Sequence, residues 1–410
     1  MTSHQSLQRI PIRTSDRNSF RRCRVAWHFG SSLRCNKTKA SPGIETKNLD
    51  FGSAIHAGLE VWYDADKQPK NLDQYEMLKQ ESLAAFNTYM QKWRDILIAG
   101  NRFHPEAKDQ WEKYSALGND MLKRYFNWSV TEDLDYEILY SEIEFEVPLE
   151  IKNFNPNWTP GDSAFQQISN TVEPVPGIWI LENDPSVIDL GIDPNKFYLC
   201  LVDESSEIVG IIVIQGRIDL VVRHKRTGKI KIIDHKTADK FYDDWEWLDL
   251  DPQASTYYYA LRKVLNIDAD EVIFNQLRKK SPIKPRVLKS GYLSQAKDQN
   301  TTIEIYKEEI KKLGHSELQY QDFLDNFEDP VFFRRINTSR TSDELDAIEL
   351  NIIYEAIDML SNPRIYPNPN AFNCSSCAFR EPCRLRQTDS IEYSEWFLNE
   401  SGAYVESQGY

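Results

Sequence analysis

The chain predicts an α/β fold: a mixed central sheet flanked by helices, with a helical subregion ahead of it. Three observations carry that expectation. Strand-like segments crowd together between positions 197 and 234, long helix-periodic stretches precede and follow them, and the composition is that of a folded globular chain. With 410 residues, 40% of them hydrophobic and 27% charged, there is enough apolar material for a large core. The longest clean apolar run is 208–214. A membrane span needs about 18 such residues, so an integral membrane protein is not expected. The basic N-terminus lacks an apolar h-region, so no secretory signal is expected and the cytoplasm is the expected compartment. An organellar transit peptide is the alternative reading of its Arg- and Ser-rich start.

The elements follow in order. Over residues 50–63, Phe51, Ile55, Leu59 and Trp62 share one helical face, with Asp50 placed to cap it and His56 beside the face. Residues 75–98 and 106–128 continue with helical periodicity. At 138–149 the period changes to two, with Ile138, Tyr140, Ile143, Phe145 and Val147 set among acids. Residues 153–195, rich in Asn, Pro, Gly and Ser, read as a long irregular insertion. Four strands are expected next, at 197–203, 207–214, 218–223 and, after a turn over 224–228, 229–234. A helix over 252–265, a strand over 272–277 and helices over 303–313 and 343–360 complete the pattern, and Pro363, Pro367 and Pro369 stop the last helix. The expected organisation is a basic segment at 1–50, a helical subregion at 51–135 and a core at 136–300 with an insertion at about 150–196. A helical region at 301–387 and an acidic tail at 388–410 complete it.

Charge is uneven. The formal net charge is −14, yet residues 1–48 hold ten basic and two acidic side chains, leaving −22 for the rest. A second basic patch contains Arg278, Lys279, Lys280, Lys284, Arg286 and Lys289, with no acid from Gln276 to Gly291. Such runs are usually solvated faces, but a local patch can also track phosphates. Cysteine is too sparse for a disulfide scaffold: Cys374, Cys377 and Cys383 form C-x2-C-x5-C, Cys23 stands alone in the basic segment, and Cys35 and Cys200 have no such company.

The turn near Arg226 sets a hairpin register in which Asp219 and Asp234 lie opposite or nearly opposite one another. Lys236, two residues past Asp234, projects from the same strand face. Two facing carboxylates repel unless a cation intervenes, and a divalent ion resolves the conflict. Oxygen ligands suit Mg2+ or Mn2+, and Lys236 would orient or help deprotonate an attacking water, which is machinery for phosphodiester hydrolysis. An Asp-x-Lys at the end of an apolar strand is by itself often a surface ion pair. Its context is a G-x-x-D at Gly216–Asp219, a Gln253-x-x-x-Tyr257 pair on one helix face, and His56 upstream.

In this order the landmarks resemble the RecB-like branch of the PD-(D/E)XK nucleases, whose restriction-endonuclease-like core carries a helix His, an acid on the first strand, G-x-x-D, (D/E)-x-K and Q-x-x-x-Y. Here these are His56, Glu142 or Glu144, Asp219, Asp234 with Lys236, and Gln253 with Tyr257. Ile218 stands where the older signature has Pro, and the insertion has no counterpart. The resemblance implies metal ligation by His56, Asp219, Asp234 and the main-chain carbonyl of His235, with Lys236 serving the water. Glu142 or Glu144 would hold a second metal or orient Lys236, and Gln253 and Tyr257 would contact the substrate strand. Charge, rather than the resemblance, adds Arg278, Lys279 and Lys280 as expected DNA contacts. A subset that includes the AddB subunit and the CRISPR-adaptation exonucleases holds a [4Fe-4S] cluster on one N-terminal and three C-terminal cysteines, which Cys23, Cys374, Cys377 and Cys383 match. A structural zinc site is the alternative, having the same ligand type.

The expected activity is therefore a metal-dependent DNA nuclease, an exonuclease on single-stranded ends in recombination, repair or phage DNA processing. A non-catalytic DNA-end-binding or assembly module, and a restriction-type endonuclease, are the competing expectations. No G-x-x-x-x-G-K-[ST] occurs, so unwinding would come from a helicase or recombination partner.

Overall fold

The computed structural model describes residues 8–31, 47–100, 103–151, 175–180, 197–202, 208–241, 246–296, 299–360, 364–375, 377 and 379–386. Eight strands form one mixed sheet: β1 (Gln8–Arg13), β2 (Tyr136–Pro148), β3 (Val175–Ile180), β4 (Phe197–Val202), β5 (Ile208–His224), β6 (Ile230–Ala238), β7 (Glu271–Arg278) and β8 (Phe333–Thr338). The order is β3-β4-β5-β6-β7-β8, and β1 and β2 also pair with β5. The β5–β6 hairpin is antiparallel, β6–β7 parallel and β7–β8 antiparallel.

Two expected strands are one. The segments at 207–214 and 218–223 run together through Gly216 as the 17-residue β5. The glycine serves close approach rather than a turn, because a Cβ there would sit 2.5 Å from the Phe145 ring. Three further strands were not expected: β1 lies in the stretch read as a basic segment, β3 in the stretch read as an irregular insertion, and β8 in the stretch read as helical. Most of the 150–196 insertion, together with Cys35 and the tail at 388–410, lies outside the described residues, although β3 from within the insertion pairs with β4.

Helices cover both faces. Helices α1 (Thr14–Arg22) and α2 (Arg24–Gly30) place Phe20 and Trp27 in the core on one face of the sheet, and on the opposite face α3 (Lys47–Trp62), α4 (Leu72–Ala99) and α5 (Pro105–Glu132) form a layer. Asp50 falls inside α3 rather than at its cap, since the helix begins at Lys47. Asn71 caps α4 by accepting from the Gln74 N–H at 2.9 Å, and Pro105 occupies the first turn of α5. On the face of α1 and α2 lies α6 (Pro252–Leu265), capped by Asp251. Beyond it come α7 (Ile303–Lys312), α8 (Gln321–Asp325), α9 (Ser342–Leu360), α10 (Ala371–Ser375) and α11 (Arg380–Arg386). Among the described residues no helix is long and apolar enough to cross a membrane.

Strand alternation sends the sheet into two cores. Ile212, Ile214, Ile218, Ile232 and Phe274 pack with Tyr257–Tyr259 of α6 and Ile352 of α9. Leu220, Val222, Ile233 and Ile273 pack against Ile55 and Leu59 of α3, Phe86 of α4 and Leu122 of α5. Several N-terminal cations are consumed inside the fold. Arg17, 3% exposed, pairs with Glu355 at 2.6 Å, Arg21 shares that carboxylate, and Arg24 meets Asp358 at 2.9 Å.

Candidate active site

The β5–β6 ladder stops at Leu220↔Ile233, so Asp219 and Asp234 face each other just where the two strands splay. Because β2 holds one edge of β5 from 213 to 224, β6 and β1 share the other. β1 pairs only as far as Gln215, which leaves Gly216–Asp219 without a strand partner on that edge among the described residues. Into this gap Asp219 folds back: its Oδ2 accepts the His235 N–H at 2.8 Å, replacing the missing ladder bond.

Helix α3 brings His56 to the gap. Its Nδ1 lies 3.5 Å from Asp219 Oδ1 and 4.0 Å from Glu142 Oε1, and its Nε2 is 3.0 Å from the His235 carbonyl oxygen. His56, Glu142 and Asp219 each offer a donor atom, all within 4.8 Å of one another. An imidazole and two carboxylates at that separation fit a hard divalent cation, and the His235 carbonyl is adjacent. Glu142, not Glu144, faces this group. It does so with φ 50, a left-handed backbone rare for a non-glycine residue, and it is held by Arg217 Nε at 2.7 Å. Glu144 is exposed and lines a neighbouring concavity of about 570 Å3 with Arg9, Arg13, Gln215 and Arg217.

Asp234 stands outside the three-donor group. It is 1% exposed, and its Oδ2 pairs with Lys236 Nζ at 2.8 Å. Its Oδ1 accepts from the Tyr257 hydroxyl at 3.0 Å and from Gln253 Nε2 at 3.3 Å, while Lys236 Nζ also donates to Gln253 Oε1 at 2.7 Å. Gln253 and Tyr257 were expected to meet substrate. The structure turns Gln253 onto Asp234 and Lys236 and Tyr257 onto Asp234 and Gln253, and Tyr257 is buried, because α6 packs this face of the helix on the sheet.

Electrostatics follow from burial and crowding. Burial works against charging His56, but Asp219 and Glu142 outweigh it and raise its pKa to about 9. Burial would raise the Asp219 carboxyl, yet His56 and the cations around it hold it below the usual range. Burial beside Asp219 pushes Glu142 up to about 7. Burial likewise raises Asp234 in spite of Lys236. It disfavours the Lys236 ammonium too, but Asp234 and Asp219 overcome that and raise the lysine.

Behind the site lies a buried network that sequence reading did not find. The His235 ring points to the α3–α5 side, opposite Asp234, and burial lowers its pKa to about 3, so it is neutral. Its Nδ1 accepts from Asn275 Nδ2 at 2.8 Å, and that nitrogen also donates to the Tyr125 hydroxyl at 2.7 Å. Tyr125 meets the Tyr63 hydroxyl at 2.7 Å, Tyr63 donates to Asp133 at 2.8 Å, and Arg335 pairs with Asp133 at 2.6 Å. Two signals pointed there: Tyr63 follows His56 by seven positions on one helix face, and Asn275 interrupts an apolar strand.

Of the expected DNA contacts, Lys280 is exposed. Arg278 is partly buried, with Nη1 3.5 Å from the Val331 carbonyl, and the Lys279 side chain is only 8% exposed and lies 3.7 Å from Asp239. The described segments that carry Cys23 and Cys374 do meet: Asn368 and Asn373 donate to the Arg22 carbonyl at 3.0 and 3.2 Å, and the Phe29 and Phe379 rings lie 5.8 Å apart. The Cys377 thiol, raised mainly by burial, feels both Cys23 and Cys374. The four thiols are nevertheless not drawn into one cage, since among the described residues no three of these sulfurs lie within 4.8 Å of one another. A zinc ion bound at Zn–S of about 2.3 Å needs that compactness, and among the described residues the thiols are gathered neither for zinc nor for an iron–sulfur cluster.

No curated protein matches the chain. The family model described as the PD-(D/E)XK nuclease superfamily matches residues 14–384, a span that contains the strand fork, both aspartates, Lys236 and the α3 histidine. The chain belongs to the PD-(D/E)XK nuclease superfamily.

Proposed function

We propose that the protein is a metal-dependent DNA exonuclease acting on single-stranded ends. The observation that carries the hydrolytic part is the meeting of His56, Glu142 and Asp219 within 4.8 Å, beside an Asp234–Lys236 pair, at the one place where β5 and β6 separate. Bound there by Asp219, Glu142, His56 and the His235 carbonyl, Mg2+ or Mn2+ would supply Lewis acidity to the scissile phosphate. Lys236, paired with Asp234 at 2.8 Å, would orient or help deprotonate the attacking water and meet developing phosphoryl charge. Gln253 and Tyr257 hold Asp234, and Asp234 holds Lys236. Release of chain ends, a cytoplasmic setting and a helicase or recombination partner complete the reading. The catalytic unit is residues 136–300 with His56 contributed from 51–135.

We propose also that Cys23, Cys374, Cys377 and Cys383 ligate a [4Fe-4S] cluster that ties the two ends of the chain together. A cubane spaces its thiolates farther apart than one zinc ion does, and the contacts of Arg22 with Asn368 and Asn373 bring the two segments into reach. Anaerobically purified protein should then be brown; a colourless, zinc-loaded and fully active sample would overturn the cluster.

The nuclease reading is tested with wild type and Asp234→Ala on end-labelled linear and closed circular single strands in Mg2+, Mn2+ or EDTA. Metal-dependent loss of linear DNA by wild type alone, with circles surviving, is the expected result. Cleavage of circles would make it an endonuclease. Binding without cleavage under any metal would leave the end-binding module.

A further inference from the structure

The chain between β7 and β8 takes no part in the site described above. It carries its own small core of Leu293, Tyr306, Ile310 and Tyr320, with Phe323 and Phe327 against it. From that core a short hairpin projects. Val287 and Leu293 form an antiparallel bridge, the Leu288 N–H donates to the Tyr292 carbonyl at 2.8 Å, and the Gly291 N–H donates to the Leu288 carbonyl at 2.9 Å. These bonds close a turn over Lys289, Ser290 and Gly291, with Gly291 at φ 83, where a side chain would be strained.

The hairpin is held at its base. Leu293 is 1% exposed and its N–H donates to the Tyr320 hydroxyl at 3.1 Å, the Ser294 N–H reaches the Arg286 carbonyl at 2.7 Å, and Gln299 accepts from the Arg286 N–H at 3.0 Å. Its tip is not covered. Val287, Leu288 and Tyr292 are between 45% and 52% exposed, a concentration of large apolar side chains that a solvated turn does not need. The Tyr292 ring is set against the His315 ring at 5.1 Å.

Cations surround these apolar groups. No acidic residue occurs from Gln276 to Gly291 in a chain of net charge −14. Lys284 pairs with Glu309 at 3.2 Å, whereas Lys280, Arg286 and Lys289 make no ion pair among the described residues. Lys236 lies level with Gln276 and Ala238 with Arg278 in the parallel β6–β7 pair, so β7 enters this region two residues, about 7 Å, beyond the level of Lys236.

We propose that this hairpin binds an unpaired nucleic-acid strand, its bases against Val287, Leu288 and Tyr292 and its phosphates at Lys280, Arg286 and Lys289. The inference rests on the nuclease reading for its choice of polymer. The chemistry selects the strand form: an unpaired strand offers aromatic faces and phosphates together, whereas a duplex hides the faces inside its stack. β7, whose chain runs on into the hairpin, leaves the sheet at the carboxyl end of the strand that bears Asp234 and Lys236, so a strand bound at the hairpin would continue toward the fork.

The test uses the full chain and two double variants, Leu288→Ser with Tyr292→Ala, and Arg286→Ser with Lys289→Ser. All four side chains are exposed, Gly291 and Leu293 are untouched, and circular dichroism checks the fold. Fluorescence anisotropy with labelled oligothymidylate in EDTA measures binding without turnover. The apolar pair should weaken single-strand binding at least about fivefold while leaving blunt duplex binding unchanged. The basic pair should weaken both and lower the salt slope by about 1 for each cation removed. Unchanged single-strand affinity in both variants would overturn the proposal and leave the tip to a protein partner. Equal loss on strand and duplex for the apolar pair would overturn base contact. Wild-type cleavage in Mn2+ is scored separately: its absence with hairpin-dependent binding retained would defeat the nuclease reading and leave the hairpin standing.

Discussion

Glu142 and Glu144 sit two positions apart on one strand, yet one joins the donor group with His56 and Asp219 and the other faces solvent. The left-handed backbone at Glu142, at a cost of about 1–3 kcal/mol, is the kind of strain that a site retains when the side chain it aims is needed. Glu142→Gln should therefore weaken Mn2+ binding by calorimetry and slow cleavage about 100-fold or more, while Glu144→Gln should change neither; equal effects would remove Glu142 from the centre. The same residues set a pH dependence. His56 holds its proton more tightly folded, at about 9 against 6.5, so its contribution is whole below 6.5 and is lost as pH rises toward about 9. Glu142, raised from 4.5 to about 7, loses stability in the same direction across that lower interval. Asp219, held low, contributes above 3.8 and loses its contribution only as pH falls through its folded value. The metal-free protein should melt at lower temperature at about pH 8 than at about pH 6, and Mn2+, which displaces these protons, should raise Tm more at the higher pH. A metal-induced shift that is flat with pH would show that the cation binds elsewhere.

Among the elements, the α3–α5 layer is what carries His56 to the fork, and its packing depends on a close helix approach. A Cβ at Gly118 of α5 would sit 2.1 Å from the Phe86 ring of α4, and that ring is fully buried with nowhere to swing. Gly118→Ala should cost roughly 1–3 kcal/mol in urea unfolding even though alanine is the better helix former. No loss of stability would mean that α4 and α5 slide apart freely. The network from His235 through Asn275, Tyr125 and Tyr63 to Asp133 joins the same layer to β6, β7 and β8. It anchors the peptide whose carbonyl faces the His56 ring.

At the scale of the whole molecule, the N-terminal helix is bound to the C-terminal half through a buried charge. Arg17 lies between Glu355 at 2.6 Å and Thr256 at 2.9 Å, linking α1 to α9 and α6. Burial lowers the Arg17 pKa although Glu355 opposes it, so removing the carboxylate leaves a buried cation with no counter-charge and only the Thr256 hydroxyl to accept from it. Glu355→Ala should cost roughly 3–5 kcal/mol, read as the midpoint shift in urea, and a loss below about 1 kcal/mol would show that the helix rehydrates Arg17 at little cost. Among the described residues of the basic N-terminal stretch, Arg17, Arg21 and Arg24 are held by Glu355 and Asp358.

Local pattern was enough for the elements that periodicity and punctuation mark. The helix at 252–265 carries its cap, Asp251, and its stop, Asn266 at φ 53, in the sequence itself. The turn centred near Arg226 implied Asp219 opposite Asp234 because antiparallel register is arithmetic once a turn is placed. The long β5 was read as two strands because a glycine that admits Phe145 looks, in one dimension, like a glycine that turns. The inward facing of Gln253 and Tyr257, the choice of Glu142 over Glu144 and the burial of Arg17 were not legible. Each depends on which element lies across the contact, and spacing along a chain states which residues share a face but not what that face meets.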